Sequence, residues 1–371
     1  MIKKSGGNGK RLFFSVFLVS SAITLFTSND IVILTLTPII FYFSRHTGLN
    51  PLPYLVTEFF AANLWSTVFY FGNPTNIIAA DASGIGFLQF TYWLALPTIA
   101  GGLVCLTLLY LKFRKSIPAG FEHMPHVRPE KFLKDKRSAV VTSAVFISAI
   151  AGMALSSYTG IHMWAVAALA AAFLFLYDSI SSVFEKLKGE GFYRGIKGFH
   201  FGLDRKYEAR LHMIWERMPW KVVPFLAFAF IMTEGLAAAG LVDWMASAIT
   251  SVSTGVFPAA ISMGFLSSLA ANLMNNQPMT VLFTKLIESQ QFLLAGNVRL
   301  ASIFSLIIGS NLGANFTLIG ALAGIMWAKI LSGAKNPVSY KTFAKIGFSI
   351  TPFVVLAVCV MLALEFFLAE L

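Results

Sequence analysis

Four short polar breaks interrupt otherwise apolar sequence, and they hold the residue types that could do chemistry: Ser28, Asn29 and Asp30; Asn73, Pro74, Thr75 and Asn76; Asn275, Asn276, Gln277 and Pro278; and residues 310–317, with Asn311, Asn315 and Thr317. In hydrocarbon an unpaired backbone group is costly, so unwound Asn- and Gly-rich chain survives at membrane depth only where it lines a cavity or is buried in protein. Half-helix N-termini beside such breaks offer N–H groups to an oxyanion or polar solute, while amide oxygens and freed carbonyls can ligate a small cation. That is the chemistry of binding, not of bond breaking. No nucleophile stands with a base and no ligand cluster is present, so no catalytic residue, metal site or cofactor is expected and an enzyme is excluded.

Asp30 is the one carboxylate at a break. An acid inside a membrane is costly and is a functional candidate by default, here for coupling to a proton or a sodium ion. Glu234, in IMTEGLAAAG, is the second coupling candidate. Glu58 lies within two turns of a helix end and reads as a side chain that snorkels to the interface. His123 and His126, in EHMPH, read as solvated loop residues, and His162 as interfacial. Cys105 and Cys359 sit mid-span and read as small apolar packing residues.

The elements that must position these residues are transmembrane. Of 371 residues, 57% are hydrophobic and 12% charged, too little polar surface to cover a soluble globule. Apolar segments recur at 12–27, 31–43, 53–80, 87–111, 139–155, 161–177, 222–239, 255–271, 279–294, 300–310 with 317–331, and 346–368. Several approach the ~20 residues that span a bilayer as helix. None alternates, which excludes a barrel. The fold class is therefore an all-α polytopic membrane protein in the cytoplasmic membrane, with the lipid bilayer as its main partner. The net charge of +11 does not point to nucleic acid, because no compact basic domain exists to present it.

Two basic connections, 112–137 and 178–220, fall on the cytoplasmic side by the positive-inside rule, together with Lys3, Lys4, Lys10 and Arg11. Basic residues precede the first apolar run, but no small-residue cleavage site follows, so this start reads as mature sequence and not a signal peptide. The short segments 12–27 and 31–43 then read as a re-entrant hairpin entering from the cytoplasm. Segment 53–80 goes out and 87–111 returns. Segment 222–239 goes out, 255–294 forms a second hairpin entering from outside with its tip near 272–278, 300–331 returns, and 346–368 exits. Residues 241–254 read as an interfacial helix. Only Lys285 and Arg299 are left on the outer side, the N-terminus is cytoplasmic and the C-terminus is outside.

The halves repeat. TSNDIVILTLTPI resembles MNNQPMTVLFTKLI, and FGNPTNIIAADASGI resembles LGANFTLIGALAGI. Because the first hairpin opens inside and the second outside, the repeat is inverted, with two re-entrant hairpins and two broken helices. The organisation is thus a first transport repeat (1–111), a basic loop (112–137), two scaffold helices (138–177), a second basic loop (178–220), and a scaffold helix with the second transport repeat (221–371).

At these same breaks the chain resembles the arsenical pump membrane permeases of the ion transporter superfamily. The resemblance rests on GNGKRLFFSVFL followed by SND and LTPI, on GNPTNIIAADASGIGF, FRKSIP and NLMNNQP, and on IGSNLGANFTLIGALAGIMWAKIL. It implies export of arsenite or antimonite driven by a cation gradient, with a cytoplasmic ATPase subunit as a candidate partner and a second copy of the chain as another. Family members commonly carry an acidic residue where Asn311 stands and a Pro-Lys pair where Ala314-Asn315 stands; both departures remove charge from the second site. The resemblance also makes the region before the first hairpin look short of scaffold spans. The leading expectation is a secondary carrier exporting a small oxyacid in exchange for protons. A sodium-coupled carboxylate carrier or sodium/proton antiporter of the same superfamily, and a transport-dead partner subunit, stay open beside it.

Overall fold

The structure, a computed structural model, describes residues 6–121, 136–193, 220, 222–333 and 338–369, which contain helices and no strand. In chain order these are α1 (Gly9–Phe26), α2 (Asn29–His46), α3 (Leu52–Trp65), a single tight turn at Tyr70–Gly72, α4 (Pro74–Ala82) and α5 (Phe87–Phe113). Next come α6 (Lys136–Ala154), α7 (Ser156–Thr159), α8 (Met163–Tyr193), α9 (Val222–Ala238) and α10 (Leu241–Val252). The last are α11 (Val256–Met274), α12 (Asn276–Glu288), α13 (Gly296–Leu312), a second tight turn at Gly313–Asn315, α14 (Leu322–Gly333) and α15 (Tyr340–Leu368). His123, His126 and most of the first basic connection lie outside the described residues.

Local chemistry sets the helix starts. Asn8 caps α1, its side-chain oxygen accepting the N–H groups of Lys10 and Arg11 at 2.9 and 3.1 Å. Ser28 caps α2, Asn73 caps α4 with Pro74 in the first turn, and Asn275 caps α12. The polar residues of the breaks are therefore, first, the means by which a helix is stopped and restarted inside apolar surroundings.

Six described helices are long and apolar enough to cross a membrane: α1, α5, α6, α8, α11 and α15. A seventh candidate, Ala227–Ala238 with Leu241–Val252, is bent by 76° at a break containing Gly240, whose φ is +77. The bend makes α10 a separate segment from α9, at the place where an interfacial helix was expected. The hairpin arms are longer than expected. The 18 residues each of α1 and α2 correspond to ~27 Å of helix. Polar ends account for part of that length: Lys10 and Arg11 open α1, and Arg45 and His46 close α2. Helix α8 also runs on through Tyr193, so the start of the second basic connection is helical.

The described helices fall into two units, Met1–Pro125 with Leu226–Leu371, and His126–Phe225. In the smaller unit α6 packs on α8, and Gly160 ends α7 with a left-handed φ of +69. In the larger unit one order of elements occurs twice: a helical hairpin (α1 and α2; α11 and α12), a helix broken by a tight turn (α3 and α4; α13 and α14), and a long helix (α5; α15). Within each set the hairpin packs on the first half of its broken helix, α1 and α2 on α3, α11 and α12 on α13. Between sets the packing is reciprocal. Helix α14 packs on α2, α4 packs on α12, and the long helices α5 and α15 pack on each other.

Lipid tails are as apolar as Leu side chains, so these contacts depend on close approach of small residues. A Cβ added at Gly309 of α13 would lie 1.9 Å from Ser267 Oγ, and one at Gly264 of α11 would lie 2.4 Å from Cys359 Sγ. Gly101 of α5 admits Val358 of α15 in the same way, at 2.3 Å. Large apolar side chains such as Leu18, Leu34, Leu103 and Phe353 are instead exposed on the outer faces, where lipid would solvate them.

Candidate solute-binding site

The breaks meet in one buried network of amides and hydroxyls. On α2, Asn29 is buried and donates through Nδ2 to Asn63 Oδ1 at 3.0 Å, while its own Oδ1 accepts the N–H of Asp30. Asn63, on α3, donates in turn to Asn315 Oδ1 at 2.9 Å. One chain of amides thus joins the tip of the first hairpin to the break of the second broken helix.

Asn311 is the hub of the rest. Its Oδ1 accepts from Ser66 Oγ at 2.8 Å and from Asn73 Nδ2 at 2.9 Å, and its Nδ2 donates to Asn76 Oδ1 at 2.7 Å and to the Ile307 carbonyl at 2.9 Å. Every polar valence of that amide is used. Asn76 also donates to the Ser66 carbonyl and to the Phe69 carbonyl, which accepts the N–H of Gly72 as well. Beside the hub, Ser310 Oγ donates to Thr75 Oγ1 at 3.1 Å. The carbonyl of Ser310 accepts from Asn276 Nδ2 at 3.2 Å, which brings in the tip of the second hairpin.

That tip is held against the second broken helix by main-chain contacts as well. The N–H of Asn276 donates to the Gly320 carbonyl at 3.0 Å, and Asn275 Nδ2 donates to the Ile319 carbonyl. Asn272 donates to the Gly313 carbonyl and accepts from Thr317 Oγ1 at 2.6 Å. Asn275 has φ +74 and ψ 152, a region that side-chain-bearing residues rarely occupy. Next to it, the buried Gln277 Oε1 has no hydrogen-bond partner.

Of the residues singled out in the sequence, Asn29, Asn73, Thr75, Asn76, Asn276, Asn311 and Asn315 belong to the network, Ser28 and Asn275 cap the helices that carry it, and Gln277 and Thr317 flank it. Asp30 sits in the first turn of α2, half-buried, where the helix dipole favours an anion. Its carboxylate forms no hydrogen bond or ion pair among the described residues. Glu234 stands apart from the network: its Oε1 pairs with Lys285 Nζ at 2.6 Å, both side chains at least a third exposed.

Two network members, Asn63 within the apolar helix α3 and Ser66 at its end, were not picked out from sequence, whereas Asn272 opens the stretch read as the second tip. The signal for Asn63 and Ser66 was the cost of an amide or hydroxyl in hydrocarbon, which demands a partner. The reading of Glu58 as a snorkelling residue is overturned. Glu58 is 0% exposed, and both carboxylate oxygens face the hydroxyl of Thr37 on α2, at 3.1 and 3.0 Å. Helix α2 and the aromatic residues Phe59, Trp327 and Phe343 pack where the route to the interface was expected.

Comparison with known proteins adds the family. The profile of the CitMHS family, described as citrate transporter, matches residues 1–296. An arsenical pump membrane protein of Escherichia coli is 26% identical, over 93% of this chain and 75% of its own length. A putative arsenical pump membrane protein of Bacillus subtilis is 25% identical over 96% of this chain and 79% of its own. A 46 kDa membrane protein of Mycobacterium leprae is 23% identical over 94% and 76%.

Proposed function

Because this chain belongs to the CitMHS family of membrane transporters, we propose that the buried amide network is its solute site and that the cargo is a small undissociated oxyacid such as arsenous or antimonous acid, exported in exchange for protons. The observation that carries this reading is the absence of charge in the network. Asn29, Asn63, Asn73, Asn76, Asn311 and Asn315 with Ser66, Thr75 and Ser310 present amide and hydroxyl groups only.

A tricarboxylate entering such a site would face no cationic partner, and a desolvated, unpaired anion is heavily penalised. A neutral trihydroxide fits the chemistry. It both donates and accepts, so it can replace inter-amide hydrogen bonds one for one and leave no buried group unpaired. Asn311 and Asn315 are central to that neutrality. The names of the Escherichia coli and Bacillus subtilis relatives support the same cargo class.

In this scheme the two sets of hairpin, broken helix and long helix form an inverted repeat. The hairpin tips approach from opposite sides, and alternate opening exposes the network to one side at a time. Asp30, beside the first tip and without a partner, is the coupling acid. A second reading, cation-coupled carriage of a carboxylate, is favoured by the helix N-termini of α2, α4 and α12 that open at the breaks.

Everted membrane vesicles from cells lacking other arsenical exporters separate the two. Uptake of arsenite driven by an acid-inside pH gradient is expected. Sodium-dependent citrate uptake with no arsenite movement would overturn the proposed cargo and exchange.

A further inference from the structure

We propose that Glu58, in a pocket formed with Thr37 and Trp327, is a second proton-binding site of the carrier, loaded from the side of the membrane on which the α2 to α3 turn and the start of α15 lie. This rests on the transport reading above but not on Asp30 or on the identity of the cargo.

The pocket is built from three elements. Glu58 is on α3, the first half of the first broken helix. Thr37 is on α2, the second arm of the first hairpin, and its hydroxyl is shared between the two carboxylate oxygens. Trp327 is on α14, the second half of the other broken helix. Its buried indole N–H has no hydrogen-bond partner. Phe59, Trp327 and Phe343 stack edge to face at 5.2–5.6 Å and close the apolar wall. Ionisable side chains of the surrounding elements, Arg11 of α1, Asp30 and Arg45 of α2, Lys112 of α5, Arg299 of α13 and Lys329 of α14, form no hydrogen bond or ion pair with it.

A carboxylate so enclosed needs a cation, and the donor set decides which. A sodium ion requires a shell of several oxygens, whereas Glu58 and Thr37 together supply three on one side and the remaining wall is aromatic. A proton needs one oxygen. Protonated, Glu58 gains its own O–H to give to Thr37; ionised, it has only the Thr37 hydroxyl as a hydrogen-bond donor. Gain or loss of that proton therefore changes the bond between α2 and α3, where α14 of the other set packs on α2.

A route exists. A cavity of about 320 Å³ lies between the α2 to α3 turn and the start of α15, lined by Asn50, Pro51, Leu52, Leu55, Val338, Ser339 and Thr342. Leu55 precedes Glu58 by three residues, so the two share one face of α3, a turn apart. Thr342 lines the cavity and its neighbour Phe343 belongs to the aromatic wall. Arg45, His46, Lys341 and Lys345 lie at this end of the bundle, the basic pattern of a cytoplasmic face.

The test uses full-length protein in two assays. In lipid nanodiscs, infrared difference spectra between acidic and alkaline pH should contain the C=O band of a buried protonated carboxyl that is lost in Glu58→Gln and displaced in Glu58→Asp. In proteoliposomes, Glu58→Gln should lose accumulation driven by a pH gradient yet retain counterflow exchange of arsenite, and Glu58→Asp should restore part of the driven uptake. A Glu58→Gln protein that keeps the band, or that keeps full gradient-driven uptake, overturns the proposal. Should Glu58→Gln fail to fold, the band in Glu58→Asp decides: an unmoved band overturns the site. If wild-type protein moves no arsenite, the cargo reading fails, and the infrared band still decides Glu58.

Discussion

Asn63 donates a 2.9 Å hydrogen bond to Asn315 across 252 residues of sequence, joining the first half of one broken helix to the tight turn of the other. Asn63 also accepts from Asn29 within its own set, and the bond to Asn315 carries that chain of amides across to the other. The contact is thus a property of the two sets together, and the network around Asn311 extends it through Ser66, Asn73 and Asn76.

Asn311→Ala should be costly for both fold and transport. It leaves Asn73 Nδ2 and Asn76 Oδ1 without their partner in a buried place, at about 1–3 kcal/mol for each group left unsatisfied, while the Ser66 hydroxyl keeps the Asn63 carbonyl. Thermal unfolding in detergent should shift down, and the KM for arsenite in vesicles should rise. An unchanged melting point and KM would remove Asn311 from the site.

Asp30→Asn keeps size and hydrogen-bonding capacity but cannot titrate. Gradient-driven accumulation in proteoliposomes is expected to fall to the level of passive exchange, with expression and melting temperature retained. Full pH-driven transport in this variant would exclude Asp30 from coupling and leave Glu58 as the candidate.

Gly309→Ala places a methyl where Ser267 Oγ and the Gly264 carbonyl stand, 1.9 and 2.7 Å from the new Cβ. Overpacking of this kind costs about 1–3 kcal/mol. The double variant Gly309→Ala with Ser267→Gly should recover part of the loss, measured by melting temperature, because it removes the nearer of the two obstacles. No recovery would mean that the Gly264 carbonyl, and not the serine, limits the approach of α11 and α13.

Asn275 separates its two roles by substitution. Gly relieves the positive φ but loses the amide that caps α12 and holds the Ile319 carbonyl, whereas Ala loses the amide and keeps the strain. Asn275→Ala should therefore melt below Asn275→Gly, by roughly 1 kcal/mol in a chemical denaturation series. Equal stabilities would show that the tip relaxes its backbone when the side chain is shortened.

Much of this architecture was legible in the sequence because a bilayer leaves few solutions. Apolar length located the helices, and Asn, Gly and Pro at the breaks located the places where backbone groups must find other partners. Most helix ends were read to within a few residues; the exceptions are α8, which runs past Tyr177 to Tyr193, the end of α12 and the start of α15. Side-chain geometry was less accessible. Glu58 and Asn63 stand in one apolar stretch, yet neither depth nor neighbours can be read from hydropathy. Whether a glutamate near a helix end reaches water depends on what covers it, and here α2 and the Trp327 cluster do so from distant parts of the chain. Glu234 looked comparable in sequence but found Lys285 at an exposed position.

The reciprocal packing of α14 on α2 and of α4 on α12 has a mechanical consequence. Each hairpin packs against a half-helix of the opposite set, so in the proposed carrier the gates would not be independent doors. Swinging the first hairpin outward would strip it from α14, and swinging the second would strip it from α4, which carries Thr75 and Asn76 of the amide network. A leak, with both gates open, would require both latches and the network between them to be broken at once. In that scheme the interlock would act as an escapement, releasing one side only while the other is held.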